Sequence, residues 1–146
     1  MKKESLLKFN KLTPDLMVTD VAKTVRFYTE KLGFTLGMLV TEGGQEVETD
    51  LAPDKQYVYA MVNRDEVFFM FMSKDAYAED IPELKEKSIS ASATLYCDVD
   101  DVKSLYASYK ENGVEIIKDL TVTWYGMQEF YIKDCNGYIL GFASKS

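Results

Sequence analysis

The sequence has no histidine, and among the groups that remain for chemistry are carboxylates, thiols, phenols and a single tryptophan. The commonest metal ligand and the commonest general base are both missing. No Ser-His or Cys-His nucleophilic pair can be assembled. The two cysteines, Cys97 and Cys135, show no CxxC spacing and read as reduced structural thiols, which fits a reducing compartment. Carboxylates are plentiful: 24 Asp and Glu against 17 Lys and Arg give a formal net charge of −7. Paired carboxylates can divide acid and base roles, but sequence spacing alone fixes no pair. Asp98, in the run "DVDD", reads equally as part of a solvated helix start. The acidic excess argues against a nucleic-acid partner, which calls for a basic patch. It suits a cationic ligand as well as plain solubility. The stretch "GGQEVETD" has the composition of an acidic surface loop, and no Gly-rich phosphate cradle is present.

These groups need a scaffold. The 146 residues suit one globular domain or two closely packed halves. Apolar residues make up 47%, too many for a disordered chain. The longest apolar runs, such as "VFFMFM", are far too short to cross a bilayer. The leading segment "MKKESLLKFNKL" lacks the apolar core and cleavage site of a signal peptide, so a cytoplasmic location is expected. Residues 12–19, "LTPDLMVT", read as a strand. "DVAKTVRFYTEKLGF" reads as a helix capped by Asp20 or Thr19, with Val21, Thr24, Val25, Tyr28 and Leu32 inward and Gly33 as its stop. "FTLGMLV" is a strand, "TEGGQEVETDLAPD" a loop, and "KQYVYAMV" and "VFFMFMS" are strands around the turn "NRDE".

The second half says the same again. "TPDLMVTDV" (13–21) and "TLYCDVDDV" (94–102) stand 81 residues apart. After the second, "DDVKSLYASYKENG" is a helix with Val102, Leu105, Tyr106 and Tyr109 inward. "VEIIKDL" is a strand, and "MQEFYIKD" and "GYILGFAS" form a hairpin around "DCNG". The polar stretch "SKDAYAEDIPELKEKSIS" reads as the linker. The expected fold is α+β: two tandem βαβββ modules, about 10–74 and 90–146, with a linker at about 75–89, together one domain over 1–146. One helix covers one face of each sheet, so the two open faces can curl into a shared cleft with the helices outside.

The pattern Val18, Asp20-Val21, Phe27-Tyr28 and Leu32-Gly33-Phe34 resembles the opening of the vicinal oxygen chelate superfamily, which includes glyoxalase I, extradiol dioxygenases and the fosfomycin and bleomycin resistance proteins. The close resembles it too: Trp124-Tyr125-Gly126, Phe130-Tyr131, then "DCNG" where the family has Asp-Pro-Asp-Gly. The resemblance spans about residues 12–144. It implies four positions for a divalent metal, and here these hold Thr13, Met70, Thr94 and Gly141. A hydroxyl, a thioether and a glycine are not the donors that Zn²⁺, Fe²⁺ or Mn²⁺ require, so no metal and no other cofactor is expected.

With those four positions facing the cleft, strand alternation assigns the rest. Asp15 and Met17 face it on the first strand, while Leu16 and Val18 face the helix. Tyr96 and Asp98 face it on the repeat of that strand, with Leu95, Cys97 and Val99 under the helix. Phe68 flanks Met70, and Gly141 leaves room in the floor. With "DCNG" as a tight turn, Tyr131 opposes Gly141, which turns Glu129 inward as well. Trp124 overhangs the rim. Aromatic and methionine surfaces with a few carboxylates suit an organic ligand that is cationic or planar. The expectation is a homodimeric binding protein of bleomycin-resistance character that sequesters a small molecule, with no nucleic acid or membrane as partner. The alternatives are a lyase or dioxygenase of the same superfamily using unusual metal ligands or a carboxylate base, and a sensor or interaction domain with a vestigial cleft.

Overall fold

The order of elements repeats as the sequence does. The first half runs β1 (Asp15–Val18), α1 (Val21–Arg26, continuing as a π-turn over Phe27–Lys31), β2 (Thr35–Thr41), β3 (Val47–Glu48), β4 (Tyr57–Arg64) and β5 (Val67–Ser73). After α2 (Lys74–Asp80) and a 3-10 turn (Pro82–Leu84), the second half runs β6 (Thr94–Asp98), α3 (Val102–Glu111), β7 (Glu115–Val122), β8 (Met127–Lys133) and β9 (Ile139–Lys145). The computed structural model describes residues 6–44 and 46–146; Met1–Ser5 of the leading segment and Gln45 of the acidic loop lie outside that description.

Local chemistry sets both helices in the same way. The Asp20 carboxylate accepts from the Lys23 N–H at 3.0 Å, and that of Asp101 accepts from the Ser104 N–H at 3.1 Å, so each satisfies an otherwise orphaned helix donor. Gly33 and Gly113 follow the helices with φ of +80 and +76, a conformation open to glycine without a Cβ clash.

The strands form two mixed sheets, ordered β1-β5-β4-β2-β3 and β6-β9-β8-β7. In each, the first strand runs parallel to the last, beside antiparallel neighbours. The helix-facing side of both sheets feeds one core. Tyr28 packs its ring on Phe34, Phe69 and Phe71, and Tyr109 does so on Phe130 and Phe142. Leu16, Val18, Leu95, Cys97 and Val99 lie on that side, as strand alternation requires.

Two features differ from the sequence reading. The acidic loop contains β3, whose Val47 and Glu48 pair with Val40 and Leu39. The linker is partly helical: the Ser73 hydroxyl caps α2 by accepting from the Ala76 N–H, and Pro82 opens the 3-10 turn. That helix has no buried residue, so it carries none of the apolar periodicity by which helices are read in a sequence. Tyr77 explains its position, because its hydroxyl donates to the Asp15 carbonyl at 2.7 Å.

Among the described residues, no strand of one sheet pairs with a strand of the other. The halves join through side chains, in a nearly reciprocal pattern. Lys31 Nζ donates to the Asn112 carbonyl and Asn112 Nδ2 donates to the Lys31 carbonyl, at 2.9 and 3.0 Å. Tyr28, on α1, donates to Asp134 in the turn between β8 and β9 at 2.7 Å. Tyr109, on α3, donates to the Leu32 carbonyl at 2.8 Å, and that carbonyl also accepts from Arg64. The Tyr77 and Tyr138 hydroxyls occupy the carbonyls of Asp15 and Met17. Those carbonyls belong to the edge strand β1, so its free edge is blunted against further strand pairing.

Candidate functional site

Directly paired residues share a face, so the register reads out each sheet's open side. In the second module, one row is Tyr96, Gly141, Tyr131 and Lys118, and the next is Asp98, Ala143, Glu129 and Thr121. Tyr131 opposes Gly141, as the turn geometry predicts. Glu129 is the centre of this face. It is 1% exposed, and it accepts from the Tyr125 hydroxyl at 2.6 Å and the Tyr96 hydroxyl at 2.5 Å, with Lys118 Nζ at 4.0 Å. Burial pushes its carboxyl up, but the two hydroxyls and the lysine outweigh that and hold it below the usual glutamate value. The same bonds push the Tyr96 hydroxyl up well above an ordinary phenol. Glu129 thus fixes two phenol rings beside a third, with the Tyr96 and Tyr131 ring centres 6.3 Å apart. Trp124 stands 95% exposed, edge-on to Tyr125 with ring centres 5.3 Å apart.

One expectation is corrected here. Gly141 does not leave open floor. A Cβ built on it would lie 2.5 Å from Cε2 of Tyr131, so the Tyr131 ring fills the space that the glycine vacates.

In the first module the rows are Asp15, Met70, Met61, Met38 and then Met17, Met72, Tyr59, Val40. Five of the seven methionines share this one face. Asp15 Oδ1 is buried and has no hydrogen-bond partner among the described residues. Its carboxyl is pushed up by burial and then by the charge of Asp80. Phe68 carries the Lys11 ammonium over its ring, 3.4 Å from the centroid.

Apart from Trp124, the predicted residues therefore fall into three groups. Phe68, Thr94, Tyr96 and Asp98 line one groove of about 350 Å³ between the edges of the two sheets. Glu129, Tyr131 and Gly141 continue from Tyr96 over the second module. Asp15, Met17 and Met70 lie on the first module. Among the described residues, no hydrogen bond, ion pair or ring contact joins that last group to the second. Trp124 lies at the turn beyond β7.

A family model for the glyoxalase/bleomycin resistance protein/dioxygenase superfamily matches residues 8–142. The chain belongs to this superfamily. Solved structures of the same fold include TioX from Micromonospora sp. ML1 (15% identity, covering 94% of this chain and all of that one, TM-score 0.66). A glyoxalase-related enzyme from Clostridium phytofermentans is similar at 19% identity, with 97% and 98% of the two chains covered and a TM-score of 0.68. A glyoxalase/bleomycin resistance protein/dioxygenase family enzyme from Burkholderia phytofirmans PsJN is similar at 16% identity, with 92% and 97% covered and a TM-score of 0.68. No curated protein sequence matches the chain. No helix among the described residues is long and apolar enough to cross a membrane.

Thr13, Met70, Thr94 and Gly141 are the positions at which the resemblance would place the ligands of a divalent metal. They do not fit one. None offers carboxylate or imidazole, and the Tyr131 ring covers Gly141. Among the described residues, no group of three or more His, Cys, Asp and Glu side chains is placed to hold a metal ion.

Sequence reasoning missed Tyr125 and Lys118 around Glu129, and Tyr59, Met38 and Met61 on the face that carries Asp15. The methionines carried a legible signal, since Met61, Met70 and Met72 fall on one parity of consecutive strands. Tyr125 carried none, because it sits in a turn and reaches Glu129 four residues on through the curl of the chain.

Proposed function

We propose that the protein binds a small organic ligand on its open sheet faces and holds it by enclosure, as a homodimer. The observation that carries this reading is the phenol cluster ordered by Glu129. Buried carboxylates are costly unless fully bonded, and this one spends its bonds on orienting Tyr96 and Tyr125 beside Tyr131. Rings fixed in this way lose little entropy when a planar group stacks on them. The homodimer is supported by exposed apolar side chains, with Phe9 and Leu12 at 96% and 92%.

Trp124 is the single tryptophan and stands against this cluster, so its fluorescence reports occupancy. A panel of planar and cationic organic compounds is expected to quench or shift it for at least one member. Trp124→Phe removes the signal and leaves the fold intact. Tyr131→Ala weakens binding about tenfold, or about 1.4 kcal/mol. A stoichiometric transition metal in protein purified without chelator, or a monomer alone in sedimentation at micromolar concentration, would overturn the corresponding part of the reading.

A further inference from the structure

Three carboxylates of the candidate set, Asp15, Asp98 and Glu129, differ in what they have left to give. Asp98 is exposed, where water screens its charge. Glu129 is already met by two hydroxyls and Lys118. Of the three, Asp15 alone keeps a buried oxygen, Oδ1, with no partner among the described residues. Such an oxygen is expensive to leave unmet, and the charge bearing on it from α2 is another carboxylate, Asp80. The groups around it are apolar or neutral: Met70 beside it in register, Met17 and Met72 in the next row, and the Tyr59 hydroxyl. Two residues before Met70 on the same strand, in the neighbouring groove, Phe68 already carries an ammonium, that of Lys11. We propose that the methionine face of the first module takes a lipophilic ammonium, a primary or secondary amine on a flexible apolar body, with Asp15 as its counter-charge. This rests on the reading that the open faces bind organic ligands.

The chemistry is specific on both counts. A primary or secondary ammonium gives an unmet carboxylate oxygen both a donor and a charge; an alcohol lacks the charge and a quaternary ammonium lacks the donor. Unbranched thioether side chains adapt to an irregular or flexible apolar body better than branched ones do.

The test uses protein labelled with ¹³C at the methionine methyl groups and three probes with the same alkyl chain: n-octylamine, 1-octanol and octyltrimethylammonium. Octylamine is expected to shift the methyl signals of Met17, Met61, Met70 and Met72 and to leave Met127, on the other sheet, unmoved. Octanol and octyltrimethylammonium are expected to bind roughly tenfold more weakly, and Asp15→Asn to bring octylamine down to the level of octanol. The same spectra show whether Asp15→Asn is folded. If it is not, Met70→Leu, which keeps volume but loses the thioether, is expected to weaken octylamine while preserving its preference over octanol. Equal binding of all three probes overturns the proposal, as does a response confined to Met127. So does a first-module face that stays silent because a second copy covers it. If planar compounds still move Trp124 fluorescence in any of these cases, the broader binding reading stands and only this inference falls. If no compound moves either reporter, both fall.

Discussion

Row for row, the first module sets Asp15, Met70, Met61 and Met38 where the second sets Tyr96, Gly141, Tyr131 and Lys118. In the next row, Met17, Met72, Tyr59 and Val40 stand against Asp98, Ala143, Glu129 and Thr121. The strand pairing is the same and almost no side chain is. On the opposite face the halves are alike: Val18, Phe69 and Phe71 in one, Cys97, Leu140 and Phe142 in the other, all buried under a helix. A one-residue slip would turn these apolar sets into solvent, so the helix side holds the register. The open side is then free to be soft and adaptable in one module and rigid and phenolic in the other. The acids make the contrast sharpest. Asp15 is pushed up by burial and its Oδ1 has no partner among the described residues, whereas Glu129 is equally central and held down by its partners.

The largest test concerns the matched tyrosines that bolt the halves together. Tyr28→Phe leaves one oxygen of the buried Asp134 carboxylate unmet and should cost about 1–3 kcal/mol in urea unfolding. Tyr109→Phe leaves the Leu32 carbonyl its bond from the exposed Arg64, which itself loses only a long contact to the hydroxyl, so about 0.5–1.5 kcal/mol is expected. Equal costs would break the view that the two joints differ in what they protect. Next, Gly141→Ala should cost about 1–2 kcal/mol by dislodging Tyr131. In a Tyr131→Ala background the same change should be nearly neutral, and a full cost there would show that the glycine serves something other than the ring.

The smallest effect is in pH. The stability that Glu129 contributes is present above the ordinary glutamate value and is lost as pH falls through its lowered value. Asp15, whose nearby titratable groups are Asp80, Tyr59 and Tyr77, behaves oppositely. Its charged form is disfavoured in the fold, so stability rises as pH falls through its raised value towards the ordinary one. The wild type minus Glu129→Gln and wild type minus Asp15→Asn difference curves should therefore slope in opposite directions on the acid side. Parallel slopes would mean that the two acids sit in like environments.

Much of this frame is legible in the residues. The 81-residue spacing of the Thr-to-Val stretches announces the repeat, Asp20 and Asp101 announce the helix starts, and period-two alternation puts Tyr96, Tyr131, Asp15 and Met70 on the open faces. Where reading stopped, the cause is physical in each case. Helix α2 buries no residue and shows no periodicity, so it passes for linker. Gly141 passes for free space, because nothing in "GYILGFAS" says that a ring from the neighbouring strand lies across it.

By itself, then, the sequence determined what depends on neighbours along the chain: caps, turns, alternation, and a repetition that demands two similar modules. The tertiary structure alone decided what depends on groups far apart in sequence. Tyr28 finds Asp134 across 106 residues and Tyr96 finds Glu129 across 33, and Asp15 finds no partner for Oδ1 among the described residues. A carboxylate's cost and its reactivity are set by the few atoms within hydrogen-bond reach, and only folding chooses those atoms.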